Sequence, residues 1–152
     1  MVRIGLYGTG FMAQTHVEAY SGIDDAEVVA VASPNTAEKF VVEHDLDATA
    51  YASAEDLVAD ADVDAVDVCT PTHTHRDLVV AAADRGLAVF CEKPIANTLA
   101  DAEVIAEAVE AADVPFMVGH VLRFFPEYAD IRQRVENGGV GTPAVARARR
   151  LS

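Results

Sequence analysis

Short apolar runs alternate with amphipathic stretches along almost the entire chain. Runs rich in valine, alanine, isoleucine and phenylalanine predict five strands, over residues 2–8, 26–33, 63–71, 87–94 and 114–120. Apolar residues spaced by three or four positions predict helices over residues 11–22, 35–44, 75–86, 98–113 and 126–139. Two shorter segments complete the pattern, a Ser-x-x-Asp capping sequence at 53–60 and an extended stretch at 142–150.

This order of elements indicates the fold class. Strands that alternate with helices of this length are joined by right-handed crossovers, and they form a parallel sheet covered by helices. The sequence thus predicts an α/β protein with a doubly wound parallel sheet. Such sheets bind ligands outside the carboxyl ends of their strands, and the unusual residue clusters of this sequence follow predicted strands.

The composition narrows the possible partners and compartments. The chain of 152 residues has a formal net charge of −14, which repels nucleic acid and anionic membrane surfaces. No apolar run approaches the roughly 18 residues that span a bilayer. Two cysteines without disulfide or zinc spacing suit a reducing compartment, so we expect a cytoplasmic protein. An acidic surface is usually only a well-solvated one, but abundant aspartate and scarce lysine favour a halophilic source.

A glycine-rich sequence joins the first predicted strand to the first helix. Gly8 allows a tight turn, Gly10 lets the backbone approach a pyrophosphate, and Ala13 lets the helix lie close to the sheet. The pattern also occurs in ordinary strand–helix turns, but its place after the first strand of an alternating chain favours a dinucleotide-binding, Rossmann-type fold. The residues expected to bind the cofactor here are Gly8, Thr9, Gly10, Phe11, Met12 and Ala13.

The end of the second predicted strand bears on which dinucleotide binds. An acidic residue there would bind the adenosine ribose and select NAD, but this chain has Ser33, followed by Pro34, Asn35 and Thr36. Without a carboxylate nothing repels a 2′-phosphate, and Ser33 and Asn35 offer neutral hydrogen-bonding groups. NADP is therefore favoured over NAD, although no arginine follows and only Lys39 could add a positive charge.

Two histidines follow the third predicted strand, in the sequence CTPTHTHRD. A metal-dependent hydrolase could use His73, His75 and Cys69, but zinc needs three or four converging ligands and the cysteines lie within apolar runs. Both histidines fit equally well in the first turn of a helix. We therefore expect no metal site.

The sequence Glu92-Lys93-Pro94 follows the fourth predicted strand. A Glu–Lys pair at a strand end is usually an exposed ion pair that contributes little to the stability of the fold. This lysine, however, is one of only two in the chain and lies where a ligand would bind. A partly desolvated lysine can hydrogen-bond the substrate hydroxyl that loses its proton as a carbonyl forms. We predict that Lys93 and Glu92 are catalytic.

The chain resembles the glucose-fructose oxidoreductase, inositol dehydrogenase and rhizopine-catabolism (Gfo/Idh/MocA) family. Four sequences carry the resemblance by their order and spacing, namely YGTGFMA, CTPTHTHRD, FCEKPIANT and VGHVLRFFPEY. The resemblance covers essentially the whole chain, and Glu-Lys-Pro is its most specific part. It implies NAD(P)-dependent oxidation or reduction of a sugar, polyol or related hydroxy compound. It also implies that a set of residues lies beside the cofactor or substrate, namely Ser33, Thr70, Pro71, His75, Glu92, Lys93, His120 and Arg123.

The resemblance further implies a division of the chain. Residues 1–123 correspond to the NAD(P)-binding Rossmann domain. Residues 124–152 correspond to a connecting helix and the first strand of a second, α+β domain, which binds substrate, supplies a catalytic Asp and His and often forms the oligomer interface. Because no Asp-x-x-x-His sequence of that kind follows, this chain alone is expected to be inactive, and the complete protein is expected to be a homo-oligomer.

Two functions remain open at this point. The first is the nucleotide-binding half of an NAD(P)-dependent oxidoreductase that acts on a CH–OH group of a sugar or polyol. The second is a non-catalytic dinucleotide-binding module, such as a redox sensor or partner subunit, which the missing second domain would favour.

Overall fold

Six strands and six helices alternate in the computed structural model, which describes residues 1–149. The strands are β1 (Val2–Tyr7), β2 (Ala26–Ala32), β3 (Thr49–Tyr51), β4 (Ala65–Val68), β5 (Ala88–Cys91) and β6 (Phe116–Val118). The helices are α1 (Phe11–Tyr20), α2 (Ala37–Glu43), α3 (Ala54–Asp60), α4 (His75–Asp84), α5 (Leu99–Ala112) and α6 (Pro126–Glu136). None of these helices is long and apolar enough to cross a membrane.

The strands form one parallel sheet in the order β3-β2-β1-β4-β5-β6. The chain runs outward from β1 through β2 to β3, and then returns to the other side of β1 and continues through β4 to β6. This reversal leaves a crevice between the carboxyl ends of β1 and β4, where open α/β sheets bind ligands. The predicted doubly wound parallel sheet is therefore confirmed.

Two apolar cores lie against the sheet. One contains Leu6 of β1 and Val31 of β2, packed with residues of α1 and α2 such as Ala13. The other contains Val68 of β4, packed with residues of α3, α4 and α5 such as Leu57. Strands buried on both faces read as nearly continuous apolar runs, which explains why they were recognisable in the sequence.

Local sequence sets several helix ends. The Ser53 hydroxyl accepts a hydrogen bond from the Asp56 backbone N–H at 3.0 Å, and that of Thr98 accepts one from the Asp101 N–H at 3.1 Å. Both caps follow from the Ser/Thr-x-x-Asp pattern. After α4 the chain leaves the helix through Gly86, whose φ of +73° is favourable only for glycine.

The observed strands differ from the predicted ones at their ends and in number. β4 and β5 end at Val68 and Cys91, three residues before the predicted ends at 71 and 94, because the residues that follow turn into the crevice. The edge strand β3 is absent from the predicted elements because three residues are too few to show a periodic pattern.

The extended stretch predicted at 142–150 forms no strand over residues 142–149. A strand needs a hydrogen-bonded neighbour, and none of the described strands pairs with this stretch. Its last residue lies outside the described residues.

The chain divides into two compact units. The first, Met1–Gly119, contains the whole sheet, and the second begins at His120. Within the second unit, a 3-10 turn at Val121–Phe124 precedes α6. The assignment of residues 124–152 to the start of a substrate domain stays a prediction.

Candidate dinucleotide-binding and catalytic site

The turn between β1 and α1 contains two glycines under different constraints. Gly8 has a φ of +98°, and a Cβ on it would lie 2.7 Å from the carbonyl oxygen of Cys69, so only glycine fits. Gly10 has an ordinary φ of −80°, and a Cβ on it would meet no atom within 4 Å. The backbone at Gly10 therefore borders an open space that a bound group could fill.

That space belongs to an open groove of about 450 Å³, which extends to the ends of β2 and β4. The groove is lined by residues 8–12, 32–34 and 69–71. No side chain caps the α1 N-terminus within the described structure, so its first-turn N–H groups can bind an anion. Fully buried Ala13 lets α1 lie close to the sheet. The residues present therefore fit the pyrophosphate of a dinucleotide.

Three hydroxyl groups meet where β2 ends. Thr9 Oγ1 lies 2.6 Å from Thr36 Oγ1 and 3.4 Å from Ser33 Oγ, and the hydroxyls of Ser33 and Thr36 are 2.7 Å apart. Asn35 and Glu38 line the adjoining pocket of about 230 Å³, together with Ser33 and Thr36. The end of β2, where the ribose is expected to bind, therefore carries a neutral hydroxyl cluster, and the Glu38 carboxylate in the first turn of α2 lines the same pocket.

His75 lies where it can hold two loops together. It is 1% exposed, its Nε2 is 2.9 Å from the carbonyl oxygen of Thr70, and its Nδ1 is 3.1 Å from that of Pro94. These contacts join the segment after β4 to the segment after β5. Both ring nitrogens thus face backbone carbonyls, and the predicted contact between His75 and a cofactor stays a prediction.

The Glu92–Lys93 pair combines a buried carboxylate with an accessible ammonium group. Glu92 is 6% exposed, and its Oε2 accepts the Lys93 backbone N–H at 3.0 Å and lies 3.6 Å from Lys93 Nζ. A Cβ on Gly119 would lie 2.8 Å from Glu92 Oε1, so glycine at this position leaves room for the carboxylate. The Lys93 side chain is 55% exposed and lies just beyond the carboxyl end of β5.

The structure also contains a buried polar cluster next to Glu92, which the sequence analysis did not predict. His16 Nδ1 lies 2.8 Å from Asp67 Oδ2, and its Nε2 lies 3.5 Å from Glu92 Oε1. The same Asp67 oxygen accepts the Tyr20 hydroxyl at 2.9 Å, and Asp67 Oδ1 accepts the Cys69 thiol at 3.3 Å. Asp67 is 0% exposed. Its charge within the apolar run of β4 was the sequence signal that could have identified the cluster.

The two carboxylates control the protonation of their neighbours. Burial alone would lower the pKa of His16, but its hydrogen bond to Asp67 and the charges of Asp67 and Glu92 outweigh burial and raise that pKa. Burial and then the Asp67 charge raise the pKa of the Cys69 thiol far above its usual range, so this cysteine remains a thiol. Close polar contacts thus connect Asp67, His16, Glu92 and Lys93 in a line that ends at the accessible Lys93 side chain.

The ligand atoms of His16, Asp67 and Cys69 all lie within 4.8 Å of one another, and this is the one group in residues 1–149 with metal-like spacing. Within this part of the chain, the three groups are hydrogen-bonded among themselves. The histidines considered for a hydrolase, His73 and His75, are not in this group. His73 is exposed, whereas His75 is buried against carbonyls.

Arg123 and His120 belong to the second compact unit. The Arg123 backbone N–H donates to the His120 carbonyl at 3.0 Å, inside the 3-10 turn. Their predicted place beside the cofactor stays a prediction.

Comparison with known proteins matches this arrangement to one family. The Gfo/Idh/MocA model, described as an oxidoreductase family with an NAD-binding Rossmann fold, matches residues 2–120. The chain is 38% identical over 152 residues to a myo-inositol 2-dehydrogenase of Thermotoga maritima, covering 96% of this chain and 44% of that protein.

Solved structures show the same fold. The chain superimposes on a probable dehydrogenase from Thermotoga maritima with a TM-score of 0.88 at 35% identity, covering 93% of this chain and 43% of the other. It also superimposes on scyllo-inositol dehydrogenase from Lactobacillus casei, which was solved with NAD(H) and scyllo-inositol. The TM-score is 0.87 at 27% identity, and the match covers 93% of this chain and 42% of the other. The chain thus spans less than half the length of these relatives.

Alanine substitutions at the two turn glycines should separate folding from cofactor binding. Gly8→Ala should lower the free energy of unfolding by about 2 kcal/mol or more, because a Cβ there meets backbone at a positive φ. Gly10→Ala should change that free energy by less than about 0.5 kcal/mol, yet weaken NADH binding about tenfold because its methyl group enters the groove. Urea unfolding and NADH fluorescence titration measure the two effects. Unchanged NADH affinity in Gly10→Ala would refute the placement of the pyrophosphate.

His16 should make stability depend on pH. Its folded-state pKa is raised, so the imidazolium stabilises the fold fully below the unfolded value of about 6.5, and this stabilisation is lost as the pH rises through the folded-state pKa. His16→Gln should therefore lower the free energy of unfolding by an amount on the order of 1 kcal/mol near pH 6, and by less at pH 9. Urea unfolding across this pH range tests the difference, with exposed His73→Gln as the control. A difference between parent and His16→Gln that does not vary with pH would contradict this assignment.

Proposed function

The chain belongs to the Gfo/Idh/MocA oxidoreductase family, and we propose that it is the nucleotide-binding half of an enzyme that moves hydride between a nicotinamide cofactor and a CH–OH group of a sugar or polyol. The relatives named above, whose names include inositol dehydrogenases, support this substrate class. The protein would be cytoplasmic and homo-oligomeric in its complete form, and its acidic surface would suit a salt-rich cytoplasm.

One observation connects the cofactor-binding turn to the catalytic pair. His16 lies on α1, the helix that begins at the glycine turn, and its Nε2 is 3.5 Å from Glu92 Oε1. Glu92 in turn accepts the backbone N–H of Lys93. The element that would hold the phosphates therefore also holds the group next to the reactive lysine.

Each residue then has a defined task. Gly8, Gly10 and the first turn of α1 would bind the pyrophosphate, and the hydroxyls of Thr9, Ser33 and Thr36 would bind the adenosine ribose. The bound nicotinamide would supply the hydride chemistry. Lys93 Nζ would hydrogen-bond the substrate oxygen and take up or return its proton.

Glu92 would act on this step by positioning Lys93. One of its oxygens lies toward His16 and the other toward Lys93, so its orientation is set from both sides. A carboxylate held between His16 and Lys93 stays available to the lysine and does not rotate away. Catalysis would still require the groups of a second domain, so the isolated chain should turn over no sugar.

We further propose that NADP is preferred over NAD. The support is the neutral hydroxyl cluster at the end of β2, which can hydrogen-bond a 2′-phosphate. Two features limit the preference. Glu38 lines the same pocket as Ser33, and the Lys39 ammonium is only 3.4 Å from Glu43 and already paired with it.

Titration of the chain with NADPH and NADH tests this preference. NADPH should bind more tightly, and Ser33→Asp should reverse the order by weakening NADPH about tenfold or more, since it places a negative charge beside the phosphate. Glu38→Gln is the matched variant, and it should strengthen NADPH while leaving NADH unchanged. An NADH preference in the parent chain would overturn the assignment.

Lys93→Met tests the catalytic proposal. The substitution keeps the length of the side chain but removes its charge, so the 152-residue chain should keep its stability and its affinity for cofactor. In the full-length enzyme, turnover should fall by about two orders of magnitude or more, the scale for loss of a positioned acid–base group. Lys39→Met serves as the control and should leave turnover unchanged. Full activity of Lys93→Met would show that the lysine is not catalytic.

A further inference from the structure

An imidazole, a carboxylate and a thiol converge where α1 meets the carboxyl end of β4. His16 Nδ1 lies 2.8 Å from Asp67 Oδ2 and 3.2 Å from Cys69 Sγ, and that sulfur lies 3.3 Å from Asp67 Oδ1. These are the three kinds of side chain that bind zinc in proteins. Mg²⁺ and Ca²⁺ prefer sites made only of oxygen, so the thiol favours zinc or a similar transition metal over them.

The separations within this cluster are close to those of a tetrahedral zinc site. Zinc bonds of about 2.0–2.2 Å to nitrogen and oxygen and about 2.3 Å to sulfur place neighbouring ligand atoms roughly 3.3–3.6 Å apart. The three observed distances are shorter than this by only about 0.3–0.6 Å. The side chains would therefore need to spread only slightly to admit an ion, and three protein ligands leave a fourth position open.

Two neighbouring groups are placed as supports for metal ligands. The second ring nitrogen of His16, Nε2, lies 3.5 Å from Glu92 Oε1, and a carboxylate in that place orients a ligating histidine. The Tyr20 hydroxyl donates a hydrogen bond to Asp67 Oδ2 at 2.9 Å, which holds the carboxylate. Outer hydrogen bonds of this kind are typical of metal sites in proteins.

The burial of Asp67 also favours a bound cation. The residue is 0% exposed, and the one ion-pair partner that it has within residues 1–149 is His16. Buried carboxylates are usually either paired with a cationic side chain or bound to a metal ion. A metal ion would compensate this carboxylate whatever the protonation state of His16.

The cluster is not sealed from solvent. The His16 side chain is 12% exposed, and half-buried Cys69 is among the residues that line the groove at the glycine turn. Asp67 lies behind them in β4. The exposed parts of His16 and Cys69 therefore give an ion a path to the cluster.

We propose that His16, Asp67 and Cys69 bind one Zn²⁺ ion, with Glu92 as the supporting carboxylate. On binding, the Cys69 thiol loses its proton to solvent, because a thiol that coordinates a metal is deprotonated. The ion joins α1, which begins at the glycine turn, to the end of β4, and so fixes two sides of the groove. The site needs no dinucleotide, and its histidine comes from α1 and not from the pair after β4.

Titration of the reduced, metal-free 152-residue chain with Co²⁺ tests the proposal, because cobalt replaces zinc and gives visible and near-ultraviolet absorption bands. One equivalent should bind with a thiolate-to-cobalt charge-transfer band, and Zn²⁺ should displace it. Cys69→Ser should abolish this band although Cys91 remains, and should weaken Zn²⁺ binding by more than about 100-fold, since losing only a supporting group costs about 10- to 100-fold. Exposed His73→Gln is the matched control and should keep both the band and the affinity.

X-ray absorption at the zinc edge provides a test that needs no variant. The parent chain loaded with one equivalent of Zn²⁺ should show one sulfur neighbour together with nitrogen and oxygen neighbours. This result decides the matter even if Cys69→Ser does not fold.

Three results would overturn the proposal. A chain without a charge-transfer band at millimolar Co²⁺ would show that no thiol binds the metal. A band that persists in folded Cys69→Ser would assign the thiol to Cys91. Zinc surrounded only by nitrogen and oxygen would show that surface carboxylates or histidines bind it.

Discussion

The pairing of His16 with two buried carboxylates is the interaction on which the rest of this site depends. Asp67 and Glu92 are both almost completely removed from water, and two such charges close together would be strongly unfavourable without a cation. His16 supplies that cation when it is protonated, because each of its two ring nitrogens lies next to one carboxylate. The contact thereby joins α1, β4 and the segment after β5, which are far apart in the sequence but adjacent at the crevice.

Backbone constraints support the same arrangement. Gly8 allows the β1–α1 turn to pass against the carbonyl of Cys69, and Gly119 leaves room for the Glu92 carboxylate. His75 holds the ends of β4 and β5 together through two carbonyl contacts. The position of Lys93 at the crevice therefore follows from packing and buried polar contacts, while its own side chain remains accessible.

The fold and the outline of the site were predictable from the sequence because they rest on local patterns. Apolar periodicity predicts the parallel sheet, and the glycine turn and Glu-Lys-Pro each lie at a strand end. The charge of Asp67 within an apolar run signals a buried polar group, but its grouping with His16 and Glu92 was not predictable, since the three residues are 25 to 76 positions apart and meet only through the strand order.

In the proposed site, a dinucleotide lies along the groove with its nicotinamide at Glu92 and Lys93. Because the chain has only two lysines, Lys39 and Lys93, an NMR spectrum of ¹³C-lysine-labelled protein contains one reporter in α2 and one in the segment after β5. The Lys93 resonance should shift when NAD or NADP binds, and should stay in place when ADP-ribose, which lacks the nicotinamide, binds. A Lys93 resonance that is unmoved at saturating NAD, or that shifts equally with ADP-ribose, would contradict this placement of the nicotinamide.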